Sequence, residues 1–298
     1  MEPAYLSLSR SELEGRVEEL REKLKDCDLC PLECGVNRLG EEKGRCNSGE
    51  ELLVSSVSPH HGEEQPLVGQ YGSGTVFLAN CNLGCVYCQN YELSQLGRGR
   101  KMKPAEVAER TLELQTRGCH NVNWVSPTHF VPQLVETLVE AIYKGLEVPI
   151  VYNTGGYESF ETLKLLDGIV DIYMPDMKYS SDASGRKYSG VSDYWKVNKK
   201  AVKEMHRQVG DLKIDDSGVA QRGLLIRHLV LPEGISGTEE VLRFIAEELS
   251  RDSYVNVMGQ YRPCWKASEY EEIGRSVTSR ELEKAFDLAR EMGLNRGL

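Results

Sequence analysis

The sequence predicts an α/β fold built on a parallel sheet, and three observations carry that prediction. From residue 75 onward, strand-like apolar runs alternate with helical patterns, and alternation of this order implies parallel strands joined by right-handed crossovers. The 298 residues, 40% of them hydrophobic, suffice for one large domain with a small appendage. No run approaches the ~18 consecutive apolar residues that mark a membrane-spanning helix.

The first element is a helix whose Leu13, Val17, Leu20 and Leu24 form one apolar stripe, with Ser11 and Glu14 spaced as a capping box. It leads into a segment with four cysteines. Residues 52–74 are rich in Ser, Gly, Pro and His without a sustained period and read as a connector. Residues 1–68 are therefore expected to hold the helix, a metal segment and the connector, and residues 69–298 the α/β unit. Strands are expected near 75–79, 121–126, 148–153, 169–174, 223–230 and 253–257. Helical periodicity covers 104–117, 129–144, 158–166, 193–209 and 238–250, and a last helix over 278–292 starts with a Thr278/Glu281 capping box. Turn chemistry at Asp216-Ser217-Gly218 marks a small excursion before the fifth strand. Six strands are two short of a closed eight-stranded barrel.

A formal net charge of -10 disfavours a broad electrostatic grip on nucleic acid, and the short cationic run 97–103 reads as a solvated loop. Met1 through Ser7 has neither a basic n-region nor an apolar h-region, so a cytoplasmic protein is expected. The odd count of nine cysteines argues for reduced thiolates serving metal rather than for disulfides. Cys119 and Cys264 stand alone and read as ordinary thiols.

Cys81, Cys85 and Cys88 follow directly on the first apolar strand, at the strand end where barrel enzymes place their chemistry. Three thiolates fall one short of a closed zinc set and leave one iron of a four-iron cluster without a protein ligand. Such an open iron can hold a substrate or cofactor.

The run Cys81-Asn82-Leu83-Gly84-Cys85-Val86-Tyr87-Cys88, with an aromatic residue just before its last cysteine, resembles the radical S-adenosylmethionine (radical SAM) superfamily. The flanks, Gly72-Ser73-Gly74-Thr75 and Gln89-Asn90-Tyr91, resemble the uncharacterised branch grouped with pyruvate formate-lyase activating enzymes. The resemblance extends over most of the chain and implies a six-stranded parallel partial (β/α) barrel, open on one side to admit a large substrate. It implies a 4Fe-4S cluster on Cys81, Cys85 and Cys88 that chelates S-adenosylmethionine and cleaves it reductively, giving methionine and a 5'-deoxyadenosyl radical that abstracts hydrogen from substrate. A reducing partner such as flavodoxin or ferredoxin follows from that chemistry.

The resemblance also implies cofactor contacts at individual positions. Tyr87 stands where the family places an aromatic residue near the adenine, and Asn90 follows the last cysteine by two, as in activating enzymes. The family's Gly-Gly-Glu motif is replaced by Ser126-Pro127-Thr128-His129, which leaves Ser126 or Thr128 to supply the contact and His129 as a polar residue opening the next helix. Asn153-Thr154-Gly155-Gly156 ends the third strand, where the glycines permit a tight turn close to a ligand. Asp176 and Lys178 end the fourth; two apart, they share a face, and an Asp-x-Lys here resembles activating enzymes. Arg227 lies in a strand too apolar to host a charge alone, so a cofactor carboxylate or Asp176 must pair it. His228 points the other way and reads as a core histidine.

Cys27, Cys30, Cys34 and Cys46 supply enough thiolates for a closed site. Zinc would staple a segment that lacks its own core, whereas a second 4Fe-4S cluster would relay electrons or bind substrate; the dense first three cysteines favour iron and sulfur. In His60-His61-Gly62-Glu63-Glu64, His61 and Glu63 share one side and would contact substrate if the piece lines the opening, or else belong to a polar loop. Two substrate classes stay open for a radical SAM enzyme: a partner protein, as for a glycyl-radical activase, and a small molecule or cofactor precursor. A non-catalytic iron-sulfur electron carrier is the remote third, since it has no use for the barrel or the Asp-x-Lys pair.

Overall fold

Every expected apolar run becomes a strand, and among the described residues three further strands, Leu52–His60, Arg100–Met102 and Lys213–Ile214, join them. The computed structural model describes residues 1–40 and 42–298. Helix α1 (Arg10–Glu22) precedes β1 (Leu52–His60), the short helix α2 (Gln65–Val68) and β2 (Ser73–Leu78). Next come α3 (Tyr91–Ser94), β3 (Arg100–Met102), α4 (Pro104–Thr116), β4 (Val122–Val125), α5 (Val131–Ile142) and β5 (Ile150–Thr154). The chain continues through α6 (Phe160–Lys164), β6 (Ile172–Pro175), α7 (Asp182–Ser184), α8 (Tyr194–Val209), β7 (Lys213–Ile214) and β8 (Ala220–Leu229). It closes with α9 (Thr238–Phe244), β9 (Tyr254–Met258) and α10 (Ser279–Glu291).

Strands β2, β4, β5, β6, β8 and β9 run parallel in that spatial order. They form the six-stranded α/β sheet that the alternation predicted. Period-two alternation gives the sheet two apolar faces. On one face Val151, Ile172, Met174, Ala220 and Leu225 meet inside the curved sheet, while Ile150, Tyr152, Tyr173, Leu224 and Ile226 pack outward with the helices.

Residues 52–74 are not a plain connector. Their first part is β1, antiparallel to β2, and β3 pairs with its outer edge. Isolated Ser and Pro hid its period: Leu52 and Val54 are buried, while the rest of the strand is half-buried or exposed. The cationic run is likewise no free loop, because it contains β3, where Arg100 pairs with Glu106 and Lys101 with Glu51. Charged side chains suit an edge strand, where they discourage further pairing. The first helix is capped two residues earlier than expected. Ser9 and Glu12 form the capping box, and Glu14 instead pairs with Arg10.

The rest of that segment fills the barrel. Leu67 of α2 is fully buried among the inward residues of β5, β6 and β8. Its carbonyl accepts from Asn121 Nδ2 at 2.8 Å, and Asn121 is held by Ser73 Oγ at 2.6 Å. Between β1 and α2 a short strap crosses the open side of the sheet, where Asn256 of β9 donates to Glu64. Since α2 plugs the interior, Leu67→Ala is expected to cost ~2 to 5 kcal/mol in urea unfolding. A loss below ~1 kcal/mol would put the plug outside the cooperative core.

Candidate active site

The C-terminal strand ends enclose a cavity of about 420 Å³ above this plug. Cys81, Cys85 and Cys88 line one side, and Asn90, Ser126, Asn153, Asp176, Lys178, Arg227 and Glu63 line the rest. Ten of the residues that the sequence singled out thus meet at one place, although they come from six segments of chain.

The cysteine loop is held at both ends. Ala79 donates its N–H to Leu53 at 2.8 Å, and its carbonyl is bonded by His129 Nε2 at 2.9 Å. His129 is therefore no helix-opening polar residue: it is buried, and desolvation pushes its pKa down to about 3. Asn80 then turns the chain with φ 70°, a conformation that Asn tolerates better than most residues. Farther on, Gly84 and Val86 donate to the carbonyls of Ser189 and Tyr188 at 3.0 and 2.8 Å. Cys85 Sγ lies 3.0 Å from Ser189 Oγ and Cys88 Sγ 3.1 Å from Ser94 Oγ. Burial raises the Cys81 and Cys85 thiols, so metal would have to displace their protons. Among the described residues no three Cys, His, Asp or Glu side chains converge at metal-ligand distance. A three-thiolate set there has to form by rotation of side chains that already line one cavity.

Opposite the cysteines lies a half-buried ionic group. Asp176 accepts from Arg227 Nε at 2.8 Å and from Lys178, and Arg227 Nη2 donates to Asn153 Oδ1 at 2.7 Å. Of the two partners expected for Arg227, the structure supplies Asp176. Burial opposes the charge on Asp176, but Arg227 and Lys178 together hold it below the usual carboxylate range. Glu63 lies 4.0 Å from Arg227. Helix α8 braces this corner: Tyr194 Oη donates to the carbonyl of Asp176 at 3.0 Å, and Asn198 Nδ2 to that of Gly156 at 2.9 Å. At Gly156, with φ 75°, a Cβ would fall 2.3 Å from the Asp176 carbonyl oxygen, so the Gly-Gly turn allows backbone contact that a side chain would block.

Three expected residues lie elsewhere. Tyr87 is buried behind the cysteine loop, where it accepts a 2.6 Å hydrogen bond from Tyr179; the loop's turn sends it into the tyrosine-rich core and away from the cavity. Thr128 sits in a 3-10 turn and donates to Glu158 at 2.5 Å. His61 faces outward, on a separate groove beside Tyr254, while its neighbour His60 takes the cavity side. Strand alternation through the end of β1 sets that choice. His228 is the satisfied core histidine expected, bonded to the Met177 carbonyl at 2.7 Å and to Thr238 Oγ1 at 2.9 Å.

Sequence reasoning missed Glu158. It is buried and receives Thr128, Thr154 and Tyr152 hydroxyls. Burial raises its pKa to about 7 against those hydrogen bonds. The available signal was a carboxylate two residues after a strand-ending Gly-Gly pair.

The four N-terminal cysteines pack against the same barrel end. Cys27, Cys30 and Cys46 are buried and Cys34 is half-buried. Burial pushes Cys30 up to about 12 and raises Cys46. Thr162 of α6 donates to the Leu29 carbonyl at 3.0 Å, and Arg38, 1% exposed, donates to the Gly49 carbonyl at 2.6 Å.

Because the folded-state pKa of Glu158 lies above its unfolded value, the native state binds more protons through that window, and its contribution falls as pH rises from about 4.5 to about 7. Glu158→Gln removes that titration. Urea unfolding across about pH 5 to 8 should show the variant gaining on the parent as pH rises; a constant difference would assign Glu158 an ordinary pKa.

Residues 75–245 match the Radical SAM superfamily. The chain is 33% identical over 293 residues to uncharacterized protein MJ0674 of Methanocaldococcus jannaschii, covering 95% of this chain and 80% of that protein. It is 25% identical over 299 residues to uncharacterized protein MJ0808 of the same organism, covering 92% and 81%. The family match takes in the three-cysteine loop, the strand ends around the cavity and the Asp176, Lys178 and Arg227 group, and the chain belongs to the radical SAM superfamily.

Proposed function

We propose that this enzyme holds a 4Fe-4S cluster on Cys81, Cys85 and Cys88 and binds S-adenosylmethionine in the adjoining cavity, as an oxidoreductase that abstracts hydrogen from its substrate. The observation that carries this reading is the shared cavity: three thiols on one wall face a half-buried group of both charge signs on the other. When bound, cluster and cofactor supply one-electron cleavage of a sulfonium and thereby a hydrogen-abstracting radical.

The chain's own residues bind, orient and exclude water. Lys178 and Arg227 offer positive charge to the cofactor's carboxylate, and Asp176 offers negative charge to its ammonium. Their burial strengthens each interaction relative to water. Arg227 also fixes the amide of Asn153. Ser126, with φ 58°, is held by its N–H to the Asn153 carbonyl at 2.8 Å. A non-glycine residue held in this conformation is a recurring mark of ligand sites.

His60 at the end of β1, with Glu63 and Glu64 on the strap, forms the wall farther along the cavity and suits the substrate end. A glycyl segment of a partner protein is the substrate that the activating-enzyme resemblance favours. A small molecule or cofactor precursor is the second reading, favoured by a volume of about 420 Å³, within the usual range of small-ligand pockets. Mass analysis of which molecule exchanges deuterium with 5'-deoxyadenosine separates the two. A low-potential donor of the flavodoxin or ferredoxin class supplies the electron, and Cys27, Cys30, Cys34 and Cys46 hold a second centre, 4Fe-4S rather than zinc.

The anaerobically reconstituted, reduced protein should convert S-adenosylmethionine to 5'-deoxyadenosine and methionine, and alanine at Cys81, Cys85 or Cys88 should abolish this. Retained cleavage in all three variants would end the reading. Asp176→Ala, which leaves two cations facing a cofactor that itself carries a sulfonium, should weaken cofactor binding about tenfold or more with the cluster intact; affinity within about twofold of the parent would remove Asp176 from the site. With all three cavity cysteines replaced by alanine, iron analysis should still find about four irons per chain, whereas about one zinc and no iron would make the N-terminal site a staple.

A further inference from the structure

The two cysteine loops touch. Asn80, the residue before Cys81, is 3% exposed and directs its amide away from the cavity. Its Nδ2 donates to the Asn47 carbonyl at 3.1 Å and to Ser48 Oγ at 3.0 Å. Ser48 Oγ in turn donates to the carbonyl of Cys46 at 3.2 Å. One buried side chain thus links the residue before Cys81 to the two residues after Cys46. Two further contacts follow the same seam. Asn82 Nδ2 donates to the Tyr157 carbonyl at 2.8 Å, beside the wall where Thr162 holds the Leu29 carbonyl. Arg45 reaches over the other side of the loop: a Cβ on Gly190 would fall 2.2 Å from its Nη2, and one on Gly84 3.8 Å.

We infer that Asn80 is a positioning residue that couples the two cysteine sites, so that metal bound by Cys27, Cys30, Cys34 and Cys46 orders the loop that presents Cys81. This rests on the proposed metal roles of both loops. The physical reason is that a thiolate set rarely exists preformed, so metal binding also does the work of folding the segment that carries it. Ordering Cys46 through Ser48 fixes two acceptors. These hold Asn80 in a left-handed backbone conformation that few residues adopt unaided, and the direction in which Cys81 leaves β2 depends on that residue. Such coupling must be reciprocal.

The test uses the full chain, reconstituted anaerobically with iron and sulfide. It follows iron loss to a chelator together with the part of the reduced-cluster EPR signal that shifts when S-adenosylmethionine is added, which reports the cluster with an open iron. Asn80→Gly keeps access to the positive φ and removes the amide. Cys30→Ala with Cys34→Ala disables the N-terminal site. Each change should speed loss of the open-iron cluster about fivefold or more, and their combination should be no worse than the stronger of the two. Conversely, alanine at Cys81, Cys85 and Cys88 should lower the equilibrium metal affinity of the N-terminal site, read by chelator competition, by the factor that loss of the N-terminal site takes from the open-iron cluster. Ser48→Ala, which leaves the Asn80 backbone untouched, should reproduce the Asn80→Gly effect if that variant proves less stable without metal. Independent, additive losses, or an open-iron cluster indifferent to the N-terminal changes, would overturn the coupling. A parent protein showing no cofactor-sensitive cluster would instead overturn the underlying site assignment.

Discussion

The bond between Asp176 and Arg227 is the contact on which the upper part of the barrel depends. An arginine on the inward face of β8 is tolerable only with a charge partner, and β6 delivers one at the same height. Removing one member of a fully buried pair costs ~3 to 5 kcal/mol, which is the upper bound for this half-buried one. Lys178 gives the group a net positive sign, while Glu63 and Glu64 on the strap supply the opposite sign nearby. Charge balance therefore ties the fourth and fifth parallel strands to the strap that spans the open side.

The strap and plug change how that open side works. An unfilled six-stranded barrel would leave its inward aliphatic residues wet. Leu67 covers them from below, so the polar cavity above has an apolar floor. The same residues that look like linker in the sequence thus serve both packing and site. Their carboxylates are placed by β1, which runs antiparallel to the rest of the sheet's start and brings His60 alongside Phe77.

The cysteine segments show a comparable economy of contact. Helix α6 follows the Gly155-Gly156 turn, and its Thr162 meets the N-terminal cysteine segment at the Leu29 carbonyl, while the carbonyl of Tyr157 meets the second cysteine loop on the other side. Buried acids and tyrosines collect at this junction: Glu158 with Tyr152, and Tyr179 with Tyr87 and Ser189. Each is satisfied by a hydroxyl, which is how a polar layer survives behind an apolar barrel wall.

Local pattern was enough to determine the parallel strands, their helices, the three-cysteine loop and the Asp176, Lys178 and Arg227 group. Each of these depends on periodicity or on spacing within a short stretch, and strand-end position follows from period two alone. Ser9 in place of Ser11 as the cap, and His60 in place of His61 in the cavity, were errors of two residues and one residue of the same local kind. What the tertiary structure alone decided was pairing across distance. Strand β1 has too weak a period to be read unless β2 and β3 are already beside it. Glu158 looks like a surface acid until the turn before α6 brings it against Thr128, Tyr152 and Thr154. Tyr87 turns from cavity to core because Tyr179 is there to receive it, and Asn80 meets Ser48 across a gap of 32 residues. Hydrogen bonds and burial between segments carry no sequence period, so such partners become visible only when the chain has closed on itself.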